Sequence, residues 1–257
     1  MSTPATGPAE VFCLRGRTAV VTGASAGLGR RFSTVLAAAG AQVIAAARRV
    51  DRLEALAAEH EGIHPVRCDV AAEADREALV AAAVERTGRL DILVNNAGLG
   101  AHGAAEGESP RAFRQTLEVN LVAPFHLACL VAAGAGPAGV SIVNVASILG
   151  IVSGAPLSGA GYAASKAGLI GLTRELAGQW GGRGVRVNAL APGWFRSEMT
   201  HELFADGRSA GWVERNTQLR RAGEVSELDG ALLFLASSAS SYTTGQVLVV
   251  DGGWTAR

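Results

Sequence analysis

Lysine is almost absent from this chain of 257 residues: 22 of its 23 basic residues are arginine, and only Lys166 carries an ammonium group. Arginine cannot replace lysine where a compact charge on a flexible stem is needed. Tyrosine is also rare, and one of the two tyrosines, Tyr162, lies four residues before Lys166. Residues at this spacing share one face of a helix. Chance within an arginine-rich composition is the alternative explanation, and the position of the pair in the fold decides between them.

The chain also lacks a net charge, C-x-x-C pairs and long apolar runs. The 23 basic residues balance 23 acidic ones, which argues against a broad basic surface for nucleic acid or anionic lipid. The three cysteines are scattered and form no C-x-x-C pair, so we predict neither a disulfide scaffold nor a cysteine-based metal site. No stretch approaches the roughly 18 uninterrupted apolar residues of a membrane helix. We expect a cytoplasmic protein with no membrane partner.

Short apolar runs alternate with longer helical patterns from residue 17 onward. Continuous Val, Ile and Leu runs are typical of strands covered on both faces, and strand–helix alternation predicts a doubly wound parallel α/β sheet. The predicted strands are 18–21, 42–47, 66–70, 90–95, 140–146, 185–191 and 246–250. The predicted helices are 30–39, 51–60, 73–87, 109–133, 161–180 and 228–236.

The domain organisation follows from the same pattern. Residues 1–12 lack a charged start and an apolar run, and they are predicted to form a flexible tail. Residues 13–257 show no long linker or repeat, which predicts a single domain. The stretch 194–221 interrupts the alternation of strands and helices, and it is predicted to be a small helical flap over the substrate.

A glycine-rich turn follows the first strand and opens a helix. Its sequence from residue 22 is Thr-Gly-Ala-Ser-Ala-Gly-Leu-Gly. Glycine lets the backbone turn tightly and lets a diphosphate approach the helix N-terminus, where free N–H groups favour anions. The spacing differs from the common G-x-G-x-x-G fingerprint, so a merely structural loop remains the alternative.

The end of the second strand bears on cofactor choice. An acidic residue at this place accepts a hydrogen bond from the ribose 2′-hydroxyl of NAD. Here the strand ends at Ala47, and Arg48 and Arg49 follow. Guanidinium groups bind phosphate, so we predict a preference for NADP(H), with NAD(H) possible. The alternative is that both arginines begin a solvated helix.

Four residues form the candidate catalytic set. An ammonium group near a phenol stabilises phenolate, which would lower the pKa of Tyr162 beside Lys166. Ser147 follows the fifth strand at the edge where open α/β sheets bind ligands. Asn120 lies four residues before Pro124, which has no N–H for the Asn120 carbonyl and should kink the helix there. The freed carbonyl could hold a water near the lysine, or the kink could be purely structural.

Together these motifs resemble the short-chain dehydrogenase/reductase family over residues 13–254. The resemblance rests on the glycine-rich turn, an Asn-Asn-Ala-Gly stretch at 95–98, Tyr-Ala-Ala-Ser-Lys at 162–166, Pro-Gly at 192–193 and Asp-Gly-Gly at 251–253. It implies a Rossmann-type fold, a homotetramer, and hydride transfer between a nicotinamide cofactor and a carbonyl or alcohol.

The resemblance also implies roles for individual positions. Tyr162 would be the general acid/base, Lys166 would lower its pKa and hold the nicotinamide ribose, Ser147 would polarise the carbonyl, and Asn120 would complete a proton relay. The implied cofactor-binding residues are Gly23, Ser25, Gly27, Leu28, Gly29, Arg48, Arg49, Asp69, Val70, Asn96, Ala97, Gly98, Tyr162, Lys166, Pro192, Gly193, Phe195 and Ser197.

Two departures from the family pattern concern the substrate side. The gap from Ser147 to Tyr162 is about two residues longer than in many members, so the loop 151–161 beside the site is extended. Ser197 stands where threonine is usual and keeps the hydroxyl.

Several other side chains are open to two interpretations. His60, His64 and Cys68 recur every four residues, but Gly62 and Pro65 break any helix that would align them, so no metal site is predicted. His102 either contacts substrate or is an ordinary loop histidine. The apolar residues of the flap form either a lid over substrate or a packing surface: Trp194, Phe195, Met199, Leu203, Phe204 and Trp212.

The predicted function is an NADP(H)-dependent carbonyl reductase or alcohol dehydrogenase acting on a sugar acid, polyol or small ketone. One alternative is a 3-oxoacyl-[acyl-carrier-protein] reductase, which is disfavoured because 132–139 is uncharged and only Arg183 remains for docking an acidic carrier. The other is a non-catalytic NADP-binding regulator, which would have been favoured by loss of Ser147, Tyr162 or Lys166.

Overall fold

The computed structural model of the chain describes residues 7, 9–100, 103–155 and 157–256. A seven-stranded sheet with every neighbouring pair parallel forms the centre, in the order β3-β2-β1-β4-β5-β6-β7. Its strands are β1 Thr18–Thr22, β2 Gln42–Ala47, β3 Ile63–Arg67, β4 Ile92–Asn95, β5 Val140–Val145, β6 Val185–Pro192 and β7 Val247–Val250. The predicted doubly wound α/β fold is confirmed, and it is of the Rossmann type.

Helices cover both faces of the sheet. They are α1 Gly27–Ala38, α2 Val50–Glu59, α3 Glu73–Thr87, α4 Pro110–Leu117, α5 Ala123–Ala133, α6 Ala160–Trp180, α7 His201–Ala205, α8 Gly207–Asn216 and α9 Asp229–Ala236. The two larger apolar cores lie on opposite faces, one between the sheet and α1, α2 and α9, and the other between the sheet and α3, α5 and α6. Because both faces are covered, β1, β4 and β5 are buried along their whole length.

The third strand lies three residues earlier than predicted, at Ile63–Arg67 instead of 66–70. It pairs with β2 from Val43↔Ile63 to Ala47↔Arg67 and forms an edge of the sheet. Pro65 has no N–H to donate, and a proline is tolerated on an edge strand. The prediction was wrong because it began the strand after Pro65, whereas Pro65 lies at the centre of β3. Cys68, Asp69 and Val70 therefore belong to the loop beyond the strand.

The predicted break in the long fourth helix is present. A π-helical turn, Glu118–Val122, separates α4 from α5, and the N–H of Ala123 bonds to the carbonyl of Glu118. Pro124 explains the break because it lacks the N–H that would bond to Asn120. The turn places the Asn120 side chain, which is fully buried, toward the carboxyl edge of the sheet.

Among the described residues, Pro110–Ala133 is the one stretch whose length and composition would allow it to cross a membrane. The sequence prediction concerned uninterrupted apolar runs, and this stretch is interrupted by Arg111, Arg114 and Glu118. Half of the most apolar window is buried inside the protein, where α5 packs against α3 and the sheet. We interpret the stretch as part of the core of the fold.

Candidate active site

A cleft of about 500 Å³ runs along the carboxyl ends of β1, β2, β4, β5 and β6. The strand order reverses between β1 and β4, the point at which open α/β sheets bind ligands. Every predicted cofactor-binding residue lines this cleft, and so does Ser147. Asn120 lies directly behind the wall. The structure therefore brings the predicted residues into one site, while their individual roles stay predictions.

The glycines of the first turn are required by close packing. A Cβ on Gly29 would lie 2.3 Å from the carbonyl oxygen of Gly23, and a Cβ on Gly23 would lie 2.9 Å from the Cα of Ala97. Gly23 and Gly27 also adopt positive φ, which only glycine tolerates readily. The turn is therefore pressed against the loop after β4, and both loops form the floor of the cleft.

The N-terminus of α1 is suited to an anion. Helix α1 begins at Gly27, earlier than the predicted residue 30, and no side chain caps its first turn. Uncapped N–H groups and the helix dipole attract a phosphate group. A Cβ on Gly27 would meet only the Cβ of Ser197, at 3.7 Å, so the backbone there is open to a ligand. These features fit the diphosphate of a dinucleotide.

Hydrogen bonds of Asn96 and Thr22 join the two loops that form the floor of the cleft. The Thr22 hydroxyl accepts hydrogen bonds from the backbone N–H groups of Asn96 and Ala97, both at 3.0 Å. The Asn96 amide donates to the Thr22 carbonyl at 2.8 Å. The Asn96 side chain thus holds the glycine-rich turn in shape, a supporting contact that its position in the sequence alone did not reveal.

Ser147 and Tyr162 meet at the end of the cleft beside β5. Ser147 is buried at the end of β5, where its hydroxyl accepts from the backbone N–H of Leu149 at 3.1 Å. Tyr162 lies in the first turn of α6 and hydrogen bonds to Ser147. Burial raises the pKa of Tyr162, and the hydrogen bond with Ser147 only partly offsets this rise. This direction is opposite to the expected lowering, because desolvation of the phenolate outweighs the hydrogen bond with Ser147. The effect of the Lys166 ammonium on the phenol stays a prediction.

Lys166 lies one turn further along α6 and is 4% exposed. Its Nζ donates to the carbonyl oxygen of Val145 at 2.7 Å and lies 5.6 Å from the centre of the Tyr162 ring. Burial lowers the pKa of Lys166 to about 8. A buried ammonium with one backbone partner keeps donors free for a ligand. This placement favours a functional role over a compositional accident.

Asn120 connects α6 to the loop after β4. Its amide oxygen accepts from the backbone N–H of Leu99 at 2.8 Å, and its amide nitrogen donates to the Leu99 carbonyl at 2.9 Å and to Ser165 Oγ at 3.0 Å. Ser165 in turn donates to the carbonyl of Tyr162 at 2.7 Å. A Cβ on Gly98 would lie 3.3 Å from the Asn120 oxygen and 3.7 Å from Lys166 Nζ. The side chain therefore fixes the surroundings of both Tyr162 and Lys166.

The end of the cleft beside β2 is basic. Arg48 is exposed at the end of β2, and Arg49 donates to Ser25 Oγ at 3.1 Å. Arg49 also forms two hydrogen bonds with the carboxylate of Glu198, at 3.0 and 2.9 Å. The Arg49 and Arg52 guanidinium groups hold the pKa of Glu198 at about 2. Sequence reasoning missed Glu198 because its partners are about 150 residues away.

A small side pocket of about 80 Å³ opens next to Ser147 and Tyr162. Apolar side chains form most of its walls: Ile148, Leu149, Leu157, Trp194, Met199 and Leu203. Leu157 and Ser158 come from the extended loop 151–161, so the extra length builds part of this wall. His102, considered as a substrate contact, lies outside the described residues.

The flap aromatics pack against one another, and Trp194 also forms part of the side-pocket wall, while a lid over substrate stays a prediction. Trp194 lines the side pocket, while Trp212 and Trp254 pack behind it with ring centres 4.8 Å apart. Trp194 contacts both of these rings edge to face. Phe195 instead packs into the core beside α1 and α9, at the root of the flap. The flap is therefore anchored by its aromatics and still presents Met199 and Leu203 to the pocket.

Comparison with known proteins agrees with the geometry. A sequence model of the family described as "Enoyl-(Acyl carrier protein) reductase" matches residues 23–255. The chain is 41% identical over 259 residues to galactitol 2-dehydrogenase (L-tagatose-forming) of Cereibacter sphaeroides, covering 95% of this chain and 97% of that protein. The chain belongs to the short-chain dehydrogenase/reductase family.

Other members of the short-chain dehydrogenase/reductase family extend this similarity. An uncharacterized short-chain type dehydrogenase/reductase of Sinorhizobium fredii is 42% identical over 245 residues, 93% of this chain, which spans only 44% of that longer protein. The crystal structure of a gluconate 5-dehydrogenase from Burkholderia cenocepacia J2315 in complex with NADP and tartrate has a TM-score of 0.90. It is 32% identical and covers 98% of this chain and 100% of its own. The protein is accordingly an NAD(P)-dependent oxidoreductase.

Proposed function

We propose that the protein interconverts a carbonyl and a secondary alcohol with NADP(H), using Tyr162 as the general acid/base. The observation that carries this proposal is the meeting of Ser147, Tyr162 and Lys166 at one end of a cleft that is suited to a dinucleotide. When bound, the nicotinamide cofactor supplies or accepts the hydride.

Ser147, Tyr162 and Lys166 bind the substrate oxygen, transfer the proton and stabilise the phenolate, respectively. The Ser147 hydroxyl donates a hydrogen bond to the substrate oxygen and holds it beside the phenol. Tyr162 gives its proton to that oxygen during reduction and takes it back during oxidation. Burial raises the pKa of Tyr162 and so favours the phenol, the form that can give a proton, over phenolate. Lys166 places its ammonium beneath the phenol and stabilises phenolate when the proton leaves.

Cofactor choice rests on the end of β2. Ala47 offers no carboxylate to a 2′-hydroxyl, and Arg48 and Arg49 offer guanidinium groups to a 2′-phosphate. The NADP complex of the gluconate 5-dehydrogenase structure supports the same preference. Asp69 lines the cleft nearby and accepts from the backbone N–H of Ala71, which keeps the adenine side of the cleft ordered.

Among the substrate classes considered, we propose an uncharged polyol or small ketone in preference to a sugar acid. The described residues that line the side pocket include no arginine, lysine or histidine. A carboxylate buried there would lack a charged partner, which is costly. Ser147, Ser158 and Thr200 supply hydroxyls, and the buried indole N–H of Trp194 has no partner among the described residues. These neutral groups suit alcohol and ketone oxygens.

The two alternatives have less support. A carrier-protein reductase needs a basic docking patch, but Arg183 donates to the carbonyl of Ala132 at 2.5 Å and 132–139 is uncharged. A non-catalytic regulator would not need the assembled Ser147, Tyr162 and Lys166.

We also propose a cytoplasmic homotetramer. Val122 and Phe125 are 41% and 45% exposed, and they lie at i, i+3 on the outer side of the helix. Exposed apolar side chains that form a patch are typical of subunit interfaces. Light scattering of the purified protein, repeated with Phe125→Glu, tests the assembly: the variant should dissociate.

The decisive test of function is a substrate panel with NADPH and with NADP+, followed by cofactor absorbance. Each polyol is paired with the aldonic acid of the same carbon chain, so that only the terminal carboxylate differs. We expect turnover of at least one neutral substrate, with kcat/KM at least about tenfold above that of its acid partner. Preferred turnover of the acid would overturn the substrate proposal, and no oxidation or reduction at all would overturn the function.

A further inference from the structure

The flap is fastened to the adenosine side of the cleft by one carboxylate. Glu198, the residue after Ser197, accepts two hydrogen bonds from Arg49 and a third, of 3.0 Å, from Arg52. Both arginines belong to the segment that follows β2, whereas Glu198 lies at the start of the flap. Glu198 and Arg49 both line the cleft. We call this three-residue contact the Glu198 clasp.

The clasp distinguishes the two arginines that are candidates for binding the phosphate, because it engages Arg49 and does not include Arg48. Arg48 is exposed and forms no ion pair within the described parts of the chain. Arg49 presents both terminal nitrogens to Glu198 and its Nε to Ser25. A guanidinium group that holds a carboxylate in this fork geometry cannot offer the same edge to a phosphate.

We propose that Glu198 is a specificity-determining residue, which competes with the 2′-phosphate of NADP(H) for Arg49 and so weakens the preference for NADP(H) over NAD(H). This inference rests on the proposed use of NADP(H). Binding of the 2′-phosphate transfers Arg49 from Glu198 to the phosphate and leaves Glu198 with Arg52. NAD(H) carries no anion at this position, so its binding leaves the clasp intact.

The exposure of the clasp makes such an exchange feasible. The side chains of Arg49, Glu198 and Arg52 are 43%, 51% and 45% exposed. Exposed ion pairs contribute little to stability and are readily replaced. A phosphate with two charges is a stronger partner for guanidinium than a single carboxylate. The clasp therefore reduces phosphate binding without abolishing it.

The local backbone keeps Glu198 in position for this competition. The Thr200 hydroxyl accepts from the backbone N–H of Ser197 at 2.9 Å and donates to the carbonyl of Phe195 at 2.6 Å. This turn ties the residues on either side of Glu198 together. Release of Arg49 therefore requires a change in side-chain conformation only.

Two nucleotide fragments test the proposal without any hydride transfer. Adenosine 2′,5′-diphosphate carries the 2′-phosphate, and adenosine 5′-monophosphate is the same molecule without it. Isothermal titration calorimetry at low ionic strength gives both dissociation constants for the wild type, Glu198→Gln, Arg49→Gln and the double variant. Glu202→Gln is the matched control, because it removes the same charge from an exposed flap residue outside the cleft lining.

We expect Glu198→Gln to bind the 2′,5′-diphosphate about two- to fivefold more tightly, the range that loss of an exposed ion-pair competitor allows. Binding of the 5′-monophosphate should change less, and by the same amount as in Glu202→Gln. In the Arg49→Gln background, Glu198→Gln should no longer favour the 2′,5′-diphosphate over the 5′-monophosphate.

Three results would overturn the proposal: an unchanged ratio of the two dissociation constants in Glu198→Gln, weaker binding of the 2′,5′-diphosphate, or the same gain in the Arg49→Gln background. Failure of the cofactor proposal has a different signature. In that case neither the wild type nor Glu198→Gln would distinguish the two fragments. If only the Glu198 proposal fails, the wild type still prefers the 2′,5′-diphosphate, and Glu198→Gln shows the same preference.

Discussion

The carboxylate of Glu108 accepts a hydrogen bond of 2.9 Å from the backbone N–H of Gly161, the residue immediately before Tyr162. A negative charge at the first turn of α6 is favourable, because the N–H groups there have no partner within the helix. A Cβ at position 161 would lie 2.4 Å from the other oxygen of Glu108, so only glycine allows this contact. Glu108 therefore sets the position of the start of α6, the helix that carries Tyr162.

Removal of Glu108 should disturb the site without touching the reacting atoms. We expect Glu108→Ala to lower the free energy of unfolding by about 1 kcal/mol, as for loss of a helix cap. The kcat should fall several-fold, because the first turn of α6 carries Tyr162. Glu108→Gln keeps an oxygen acceptor and should recover most of the kcat. Chemical denaturation and steady-state kinetics check both effects, and equal kcat in all three proteins would remove Glu108 from this role.

Tyr162→Phe should abolish turnover and leave cofactor affinity nearly intact. The phenol is needed for proton transfer, which contributes about 10²–10⁴-fold to rates, and not for holding the diphosphate. NADPH fluorescence titration gives the affinity, and cofactor absorbance gives the rate. If the variant keeps more than about a tenth of the wild-type kcat, another group is the acid/base.

We expect the buried Lys166 side chain to make the free energy of unfolding depend on pH. Burial lowers its pKa from 10.5 to about 8, so between these values the unfolded chain holds a proton that the folded chain has lost. Stability contributed by this site therefore rises with pH across that window. Lys166→Met has no such titration. Its stability relative to the wild type should fall by roughly 3 kcal/mol from pH 8 to 10.5, measured by urea unfolding.

The absence of a pH-dependent difference between Lys166→Met and the wild type would mean that the ammonium is better solvated than its burial indicates. Lys166→Arg provides a functional counterpart. The planar guanidinium is bulkier and cannot place one compact set of donors between a ribose and a phenol, so turnover should be lost. An active Lys166→Arg variant would make the single lysine a compositional accident.

The sequence was sufficient to predict features that depend on local spacing. The glycine-rich turn, the i, i+4 pair and the break before Pro124 each follow from a few neighbouring residues. The order of strands and the cleft at their carboxyl ends follow from strand–helix alternation. These features are the ones that the structure reproduces most closely.

Features that depend on distant contacts could not be predicted in this way. The direction of the Tyr162 pKa shift is set by the residues that bury the phenol, and these are separated in sequence. The pairing of Glu198 with Arg49 joins the flap to the second strand. The place of β3 at an edge of the sheet, where Pro65 is tolerated, depends on the strand order and not on the local sequence.

Cofactor preference is the prediction on which the proposed function depends most directly. We expect kcat/KM to favour NADPH over NADH by at least about tenfold, which corresponds to ~1.4 kcal/mol. One charge-assisted contact between a guanidinium group and a phosphate, worth roughly 1.5–3 kcal/mol, is sufficient. The preference should shrink with added salt, because Arg48 is exposed and the contact is screened.

A double substitution should reverse the preference. Ala47→Asp places an acceptor for the 2′-hydroxyl at the buried end of β2 and repels a phosphate, while Arg48→Leu removes the free guanidinium group. Arg48→Leu alone should show less than the full effect, because Arg49 can be drawn from Glu198 to the phosphate. Kinetics with both cofactors at low ionic strength provide the measurement. Equal or better use of NADH by the wild type would leave Arg48 and Arg49 as surface charges with no role in cofactor choice.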